Sequence, residues 1–245
     1  MSPLSANTLF HFTGSFENVV SILTTEFRPR YSLEDFGMVL SGGAEPHERA
    51  APMVCFCDIP LSQTAKHMTT YGDYAIGLSK EWGINKGISP VLYIVAGSLV
   101  SQALHDVFMN NVMNEASGLP NLARLKMFLK AYKGDIYRRG IKQHSDVRFY
   151  DEREWRYVPT SGTGIMSLNK EDYLDPVRLV EWHQRLDVPS LQFEPSDIRF
   201  LIVANESEVL PMIRKIHAIK ARYSDDARAI LCSRILSAER IKEDF

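Results

Sequence analysis

The chain has 245 residues, of which 45% are hydrophobic and 24% are charged, with 14 Gly and 12 Pro. These values are typical of a globular protein and exclude disordered, collagen-like and disulfide-scaffold classes. The 28 basic and 30 acidic residues give a formal net charge of −2. The protein as a whole therefore has no charge field that would draw it to nucleic acid or to a membrane.

The cysteines and the hydropathy pattern predict a cytoplasmic protein. Three cysteines cannot all pair, and Cys55 and Cys57 are one residue apart, which favours a reducing compartment. We see no signal peptide at the N-terminus, and no run of 18 uninterrupted apolar residues is present. We therefore expect no contact with a membrane.

Strands and helices are interspersed along the chain, with helices of irregular length. This pattern predicts an α+β fold with a mixed sheet, and one domain over residues 1–245 with a helical insertion at about 97–140. The predicted strands are 8–13, 52–57, 90–95, 145–159, 198–203 and 229–236, and residues 71–79 are predicted to form a turn and a further strand. The predicted helices are one capped by Ser15 and stopped by Pro29, and those at 58–70, 97–116, 121–133, 206–220 and 238–242, with a long surface loop at 32–52.

The first candidate site lies on the opening strand. His11 and Thr13 are two residues apart, so they share one face of a strand, and Phe10 and Phe12 share the other. A polar pair opposite two phenylalanines could line a cleft. The alternative is a histidine whose ring is satisfied by a backbone carbonyl.

The second candidate site is the turn Tyr71-Gly-Asp-Tyr74. Two tyrosines that flank a glycine turn can stack on a flat ring and hydrogen-bond beside it. Ordinary turn packing is the alternative interpretation.

The third candidate site is the acidic string that contains Glu152, Glu154 and Arg156. On a strand these three side chains share a face. A carboxylate there can stabilise a cationic, oxocarbenium-like transition state of glycosidic bond cleavage, and an adjacent arginine keeps it ionised. The alternative is a ladder of ion pairs across the sheet.

The fourth candidate site is a basic segment. Residues 121–160 contain 10 basic and 5 acidic side chains, a net charge of +5. The segment could contact phosphate groups of RNA, DNA or a nucleotide, or it could be a solvated helix face. We expect no metal site. The candidate phosphate contacts are Arg124, Lys126, Lys130, Lys133, Arg138, Arg139 and Lys142.

Three motifs in this order resemble the His, Tyr, Glu series of the ADP-ribosyltransferase fold: His11-Phe-Thr13, Tyr71-Gly-Asp-Tyr74 and Glu152-Arg-Glu154-Trp-Arg156. Longer strings look like the bacterial abortive-infection AbiGi family. The chain is similar to that family from about Leu9 to the C-terminus. The strings are Pro52-Met-Val-Cys-Phe-Cys-Asp-Ile-Pro-Leu-Ser62, Tyr71-Gly-Asp-Tyr-Ala-Ile-Gly-Leu-Ser-Lys-Glu-Trp-Gly83 and Pro90-Val-Leu-Tyr-Ile94.

The resemblance to the transferases implies a split mixed sheet that clamps NAD+ as substrate. It implies that His11 bonds the adenosine ribose, Thr13 seats the nicotinamide side, and Tyr71 or Tyr74 stacks on nicotinamide. Arg28 or Arg30 would hold the pyrophosphate. Glu154 would be the catalytic glutamate, with Glu152 upstream of it.

The implied function is a phage-defence or toxin-type ADP-ribosyltransferase that cleaves NAD+ at the nicotinamide bond. The basic segment favours nucleic acid over protein as the acceptor of ADP-ribose. The alternative, which the AbiGi resemblance implies, is a non-catalytic antitoxin or regulatory partner of a cognate toxin. A third hypothesis is an RNase that uses His11 with the basic segment, in which His144 also lies.

Overall fold

The computed structural model describes residues 5–41, 44–113, 119–138, 141–161 and 167–244. The chain divides into two compact units, each assembled from separate stretches. The first unit contains residues 1–28, 55–88 and 190–245, and the second contains 29–54 and 89–189. The predicted α+β class with a mixed sheet is confirmed. The single domain and the transferase-type sheet stay predictions.

The first unit is built on a mostly antiparallel sheet. Strand β1 (Thr8–Thr13) lies inside this sheet because it pairs with a neighbouring strand on each of its two edges. On one side β1 pairs antiparallel with β4, from Thr8↔Ser79 to Thr13↔Tyr74. The order of the strands continues through β4 to β11 and β12, of which the last two run parallel. The strands are β1 (Thr8–Thr13), β4 (Tyr74–Ser79), β11 (Ile198–Val203), β12 (Ile235–Ser237) and the end of β3 (Glu48–Cys57).

Helices flank this sheet, and their starts follow the capping rules. Ser15 Oγ accepts the N–H of Asn18 at the start of α1, as the sequence predicts. Ser237 Oγ likewise accepts the N–H of Arg240 at the start of α11. The helices are α1 (Phe16–Thr25), α3 (Thr64–Tyr71), α4 (Lys80–Asn85), α9 (Val209–Ile219), α10 (Asp225–Cys232) and α11 (Ala238–Asp244), with 3₁₀ turns at Leu61–Gln63 and Glu206–Glu208.

An ion pair joins two of the long AbiGi-like strings inside the first unit. Asp58 is buried, and its carboxylate lies 2.8 Å from Lys80 Nζ. It also accepts the N–H of Ala6 and the hydroxyl of Ser5, at 2.9 and 2.8 Å. These contacts hold the N-terminal segment against the start of α4. The residues Asp58 and Lys80 therefore have a structural role within their strings.

The second unit contains shorter sheets. Strand β2 pairs antiparallel with β3 over six residues, from Arg30↔Met53 to Asp35↔Glu48. Strands β5 and β10 pair antiparallel, β6 and β7 pair parallel, and β8 and β9 form a two-stranded antiparallel sheet. The strands are β2 (Arg30–Asp35), β5 (Ser89–Pro90), β6 (Leu92–Ile94), β7 (Leu129–Ala131), β8 (Gly134–Arg138), β9 (Ile141–Val147) and β10 (Glu154–Tyr157). The helices are α2 (Gly37–Leu40), α5 (Leu99–Met113), α6 (Leu119–Lys126), α7 (Lys170–Leu174) and α8 (Pro176–Arg185), with a 3₁₀ turn at Phe149–Glu152.

The prediction of a long surface loop at 32–52 is wrong. Most of it forms β2, α2 and the start of β3, because the two strands pair along their whole shared length. Gly37 is required in α2, since a Cβ there would lie 2.3 Å from the carbonyl oxygen of Glu45.

Two predicted helices and one predicted strand also differ from the structure. The helix predicted at 121–133 ends at Lys126, so the helical insertion does not extend to 140; residues 129–131 pair with β6 instead. Half of the strand predicted at 229–236 is helical, because residues 229–232 end α10, whose start Ser224 caps. Strand β12 begins only at Ile235. The helix α1 ends at Thr25, four residues before Pro29. The strand predicted after the turn within 71–79 is found as β4, which begins at Tyr74.

We expect Asp58→Asn to destabilise the protein by about 2–3 kcal/mol, since it removes the charge that a largely buried Lys80 needs. Urea denaturation followed by circular dichroism measures the loss. Asp73→Asn is the matched control, because its ion pair with Lys242 is more than a third exposed and should change stability by about 0.5 kcal/mol or less. Equal losses in the two variants would contradict this role of Asp58.

Candidate functional site

Glu154 lies at the centre of a buried cluster of charged side chains in the second unit. It is 6% exposed, and it is the first residue of β10. Arg156 Nε donates to its Oε1 at 2.6 Å, and Arg156 Nη2 donates to its Oε2 at 3.2 Å. Lys130 Nζ donates to the same Oε2 at 2.5 Å. Both carboxylate oxygens of Glu154 therefore have cationic donors.

Two further carboxylates complete the cluster. Lys130 Nζ also donates to Glu152 Oε2 at 2.9 Å, and Arg156 Nη2 lies 2.8 Å from Glu34 Oε2. Arg156 is fully buried, and its Nη1 donates to the carbonyl of Met127 at 2.6 Å. Three carboxylates and two cations thus meet below the surface, with a net charge of −1 when all are ionised.

Local backbone geometry brings these side chains together. The 3₁₀ turn Phe149–Glu152 is followed by Arg153 in the left-handed region, at φ 47°, and only then does β10 begin. Glu152 is therefore not on the strand, which corrects the prediction that it shares a strand face with Glu154. Both carboxylates nevertheless contact Lys130, because the 3₁₀ turn places Glu152 beside the same ammonium group.

The electrostatics of the cluster keep Glu154 ionised. Burial alone would raise the pKa of its carboxyl group, but the charges of Arg156 and Lys130 and their hydrogen bonds outweigh burial, so the pKa lies well below its ordinary value. Burial would lower the pKa of Lys130, and the charges of Glu154, Glu152 and Glu34 instead raise it well above its ordinary value. Each ion thus holds its partner in the charged form.

Aromatic side chains surround the cluster. The N–H of Glu154 donates to Tyr93 Oη at 2.7 Å, and Lys130 Nζ lies 4.9 Å from the centroid of the Phe149 ring. Tyr93 packs edge-on against Tyr150, at 5.3 Å between ring centroids. Burial raises the pKa of Tyr93, so its hydroxyl stays protonated.

His11 lies in the first unit, within an aromatic cluster. Its Nδ1 is 2.8 Å from the carbonyl oxygen of Cys55, and its ring packs edge-on against Phe27 and Phe56, at 5.2 and 5.8 Å. Burial lowers the pKa of His11 more than the bond to Cys55 raises it, so the ring is neutral at pH 7 and Nδ1–H donates to the carbonyl. This contact is the one expected from the alternative interpretation, in which a backbone carbonyl accepts a hydrogen bond from the histidine ring. Aromatic rings cover the strand face that was predicted to line a polar cleft.

The other residues predicted to bind NAD+ in the first unit have internal contacts. Thr13 Oγ1 accepts from Asn18 at 2.8 Å, and Tyr74, directly opposite Thr13, donates its hydroxyl to Glu208 at 2.9 Å. Burial and the Glu208 contact raise the pKa of Tyr74 to about 12. Tyr71 stacks on His67 at 4.4 Å.

Gly72 explains how the tyrosine turn approaches β1. It has φ 109°, and a Cβ on it would lie 2.4 Å from the carbonyl oxygen of Thr13. Only glycine fits there. Of the two candidate arginines, Arg28 is exposed in the first unit, and Arg30 is exposed at the start of β2 in the second.

The basic residues predicted to contact phosphate fall into different environments. Lys130 belongs to the buried cluster. Lys133 lies 2.7 Å from Asp146, and Lys142 forms an ion pair with Asp135. Arg139 lies outside the described residues. Of the others, Arg124 donates to the carbonyl of Thr160, Lys126 lies over the Phe36 ring at 5.0 Å, and Arg138 ends β8.

Sequence reasoning missed Glu34, Lys130 and Tyr93 as members of the Glu154 cluster. Glu34 fell in the predicted loop, and Lys130 fell in a predicted helix. The signal that could have found Glu34 is the alternation of apolar and polar residues in Tyr31-Ser32-Leu33-Glu34, which is typical of a strand. Within the described residues, no group of three or more His, Cys, Asp or Glu side chains is arranged to hold a metal ion.

Comparison with known proteins shows which family the chain belongs to. The profile of one family, described as "Putative abortive phage resistance protein AbiGi, antitoxin", matches residues 25–204. The chain belongs to the AbiGi family. The matched range includes every residue of the Glu154 cluster, from Glu34 to Arg156, and also the pair Asp58 and Lys80.

A curated AbiGi relative supports the assignment. It is the abortive phage resistance protein AbiGi of Lactococcus lactis subsp. cremoris, which is 28% identical over 248 residues, covering 89% of this chain and 99% of that protein. No solved structure matches the chain. In the part of the chain that the structure describes, no helix is both long and apolar enough to span a bilayer.

We expect Glu154→Gln to destabilise the protein by about 3–5 kcal/mol, because it leaves two buried cations without the charge that lies between them. Urea denaturation measures the change. Asp146→Asn is the matched control in the same unit, since its pair with Lys133 is more than half exposed on both sides and Asn tolerates the left-handed backbone at this position. A loss for Glu154→Gln no larger than that of the control would show that Arg156 and Lys130 do not depend on the charge of Glu154.

The same cluster predicts a pH dependence. The pKa of Glu154 is lower in the folded protein than the value of about 4.3 in an unfolded chain. Its contribution is therefore present above that value and is lost as the pH falls toward the folded pKa, by up to about 1.4 kcal/mol per pH unit. We expect the difference in free energy of unfolding between wild type and Glu154→Gln, measured from pH 6 to pH 3, to become smaller below about pH 4. A difference that grows there would contradict the assignment.

Proposed function

We propose that this protein is the non-catalytic antitoxin-type component of an abortive phage-resistance system, and that it acts by binding a toxic partner protein. The observation that carries the proposal is the state of Glu154. A glutamate that stabilises an oxocarbenium ion must present an oxygen to the substrate. Here Arg156 and Lys130 already donate to both oxygens of a carboxylate that is 6% exposed.

The residues that would bind NAD+ support the same proposal. His11 donates to a backbone carbonyl among aromatic rings, and Tyr74 donates to Glu208. Tyr71 is stacked on His67. Each of these side chains has a contact within its own unit that stabilises the fold, so none of them requires a bound nucleotide to explain its position.

The description of the AbiGi family as an antitoxin points in the same direction. An antitoxin needs a surface that recognises its toxin and no turnover of its own. Under this proposal the partner is a protein whose expression alone arrests growth, and this chain restrains it by direct contact.

A second candidate function is an ADP-ribosyltransferase that uses NAD+ as substrate. The observation that favours it is that Glu154 is held ionised, which the developing cation in nicotinamide release requires. In that case Glu154 acts on the ribose with Glu152 beside it.

A direct assay separates the two candidates. We expect the purified protein to release no nicotinamide from NAD+ above the buffer rate, and to gain no thermal stability from NAD+. A ligand at 100 times its Kd would add about 2.7 kcal/mol. Nicotinamide release that Glu154→Gln lowers at least about 100-fold, with the fold intact, would establish the transferase instead.

Growth measurements test the antitoxin proposal. Each gene adjacent to that of this protein is expressed alone and together with the full chain. We expect one of them to arrest growth alone, co-expression to restore growth, and the two purified proteins to form a complex. Rescue should persist in His11→Gln, which keeps a hydrogen-bonding side chain. If no neighbouring gene is toxic, or if rescue occurs without complex formation, the proposal fails.

A further inference from the structure

The exposed face of helix α9 contains cations and no acidic residue. Residues 209–222 include Arg214, Lys215, Lys220 and Arg222, and none of the residues in this range is acidic. Within the part of the chain that the structure describes, none of these four cations forms an ion pair. We call the exposed residues of α9 and of the turn after it the α9 face. It includes Leu210, Arg214, Lys215, Ala218, Ala221 and Arg222.

The dipole of α9 does not explain these cations. A cation near the C-terminus of a helix interacts favourably with the helix dipole, but this effect falls off within the last turn. Arg214 and Lys215 lie a turn or more before the end of α9 at Ile219. Lys220 follows Ile219 directly and is buried, and a buried charge without a counter-ion costs more free energy than the dipole returns.

Lys220 is enclosed by aromatic rings and has no counter-ion in contact with it. The residue is 6% exposed. Its Nζ lies 5.3 Å from the centroid of the Phe193 ring and 5.9 Å from the centroid of the Tyr223 ring. Among the described residues, no carboxylate lies at ion-pair distance from this ammonium group. Two ring faces replace only part of the stabilisation that water gave to the charge.

The acidic residues nearest to Lys220 compensate its charge only from a distance. Burial, followed by the charge of Arg222, lowers the pKa of Lys220, and Glu194 and Glu26 raise it by less. Glu26 is also engaged elsewhere, since its Oε2 accepts the hydroxyl of Ser190 at 2.7 Å. A further carboxylate in contact with Lys220 would therefore stabilise the ammonium group.

Lys220 Nζ keeps some contact with solvent. Among the described side chains, Arg228 Nε is the one polar atom that is both shut off from solvent and without a hydrogen bond. Lys220 Nζ has no hydrogen bond to the described residues either, so it is not shut off from solvent. A carboxylate that approaches from solvent can reach it.

We propose that the α9 face binds an acidic surface of the toxic partner protein, and that a carboxylate of the partner pairs with Lys220. This inference rests on the proposed function, because it takes the partner from it. The folded protein has already removed most of the water around Lys220. Formation of the pair then requires desolvation of the partner's carboxylate alone, which makes Lys220 a preorganised contact.

The surroundings of Lys220 favour a protein over a nucleic acid as the occupant. With Glu194 and Glu26 counted against the four cations, the local net charge is +2. This charge suits a few carboxylates, whereas the two glutamates would repel the continuous negative charge of a nucleic-acid backbone. Leu210 is 53% exposed on the same face, and protein interfaces bury such apolar side chains in their core.

The experiment uses the toxic product of the neighbouring gene that the growth measurements identify. Biolayer interferometry measures its binding to the full-length protein at two salt concentrations, about 50 and 200 mM. The first test variant is Lys220→Met, and its control is Lys86→Met, which removes the same charge from an exposed lysine of the first unit. The second test variant is Arg214→Gln/Lys215→Gln. Thermal melting of every protein is recorded.

We expect Lys220→Met to bind the partner at least about ten-fold more weakly than wild type, and Lys86→Met to bind within about two-fold of it. Lys220→Met should melt no lower than wild type, since it removes a buried charge and keeps a long apolar side chain. Arg214→Gln/Lys215→Gln should slow association and reduce its dependence on salt, as exposed interface charges do.

Three results would overturn the inference. If the partner binds wild type and Lys220→Met equally well, this inference fails and the proposed function stands. A melting temperature of Lys220→Met well below that of Lys86→Met would give Lys220 a structural role instead. A DNA duplex that binds wild type as tightly as the partner does, and Lys220→Met more weakly, would assign the face to nucleic acid. If no neighbouring gene product binds wild type, the proposed function and this inference fail together.

Discussion

The second unit depends on the contact of one carboxylate with two cations. Taking Glu154, Arg156 and Lys130 out of water costs several kcal/mol for each ion. Their mutual attraction can offset that cost only if the geometry is good. At an effective dielectric constant of about 20, two unit charges 4 Å apart attract each other by about 4 kcal/mol, and Glu154 has two such partners at hydrogen-bonding distance. The cost of desolvation and the attraction between the charges therefore nearly cancel, so the cluster adds little net stability. Removing any one of the ions leaves the desolvation cost of the others without compensation.

The cluster also fixes the register of the strands that contribute its side chains. Arg156 contacts Glu34 of β2, Glu154 of β10 and the carbonyl of Met127, just before β7. Slipping any of these strands by one residue would point its charged side chain to the other face. The charges would then be buried alone, which is far more costly than a mispaired apolar residue. The same atoms would have to rearrange before Glu154 could act on a substrate, because Lys130 or Arg156 would have to give up its hydrogen bond.

The sequence predicted the elements that local rules determine. The opening strand, the Ser15-capped helix, the strand at 198–203 and the Ser237-capped helix follow from alternation and capping, and all four were found. The prediction failed where pairing between strands that are far apart in the chain determines the secondary structure. Residues 129–131 have a helical pattern, but pairing with Leu92–Ile94 makes them a strand. Glu34 precedes a segment that contains several glycines and prolines, and its pairing with β3 makes it part of a strand. Glu154 was identified as a key carboxylate, but its partners Lys130 and Glu34 come from 24 and 120 residues away in the chain, beyond the reach of periodicity.

Burial separates two roles within the one basic segment that composition singles out. Lys130 and Arg156 are enclosed with carboxylates, so their charge is neutralised within the protein and is not available to a partner. Lys142 lies on β9, whose residues 141–146 are exposed, and its ion pair with Asp135 is partly in contact with solvent, which weakens the pair. A count of charges over residues 121–160 cannot tell these environments apart, since the number of basic residues is the same whether they are buried or exposed. The position of each cation relative to the surface decides whether it stabilises the fold or is available to bind.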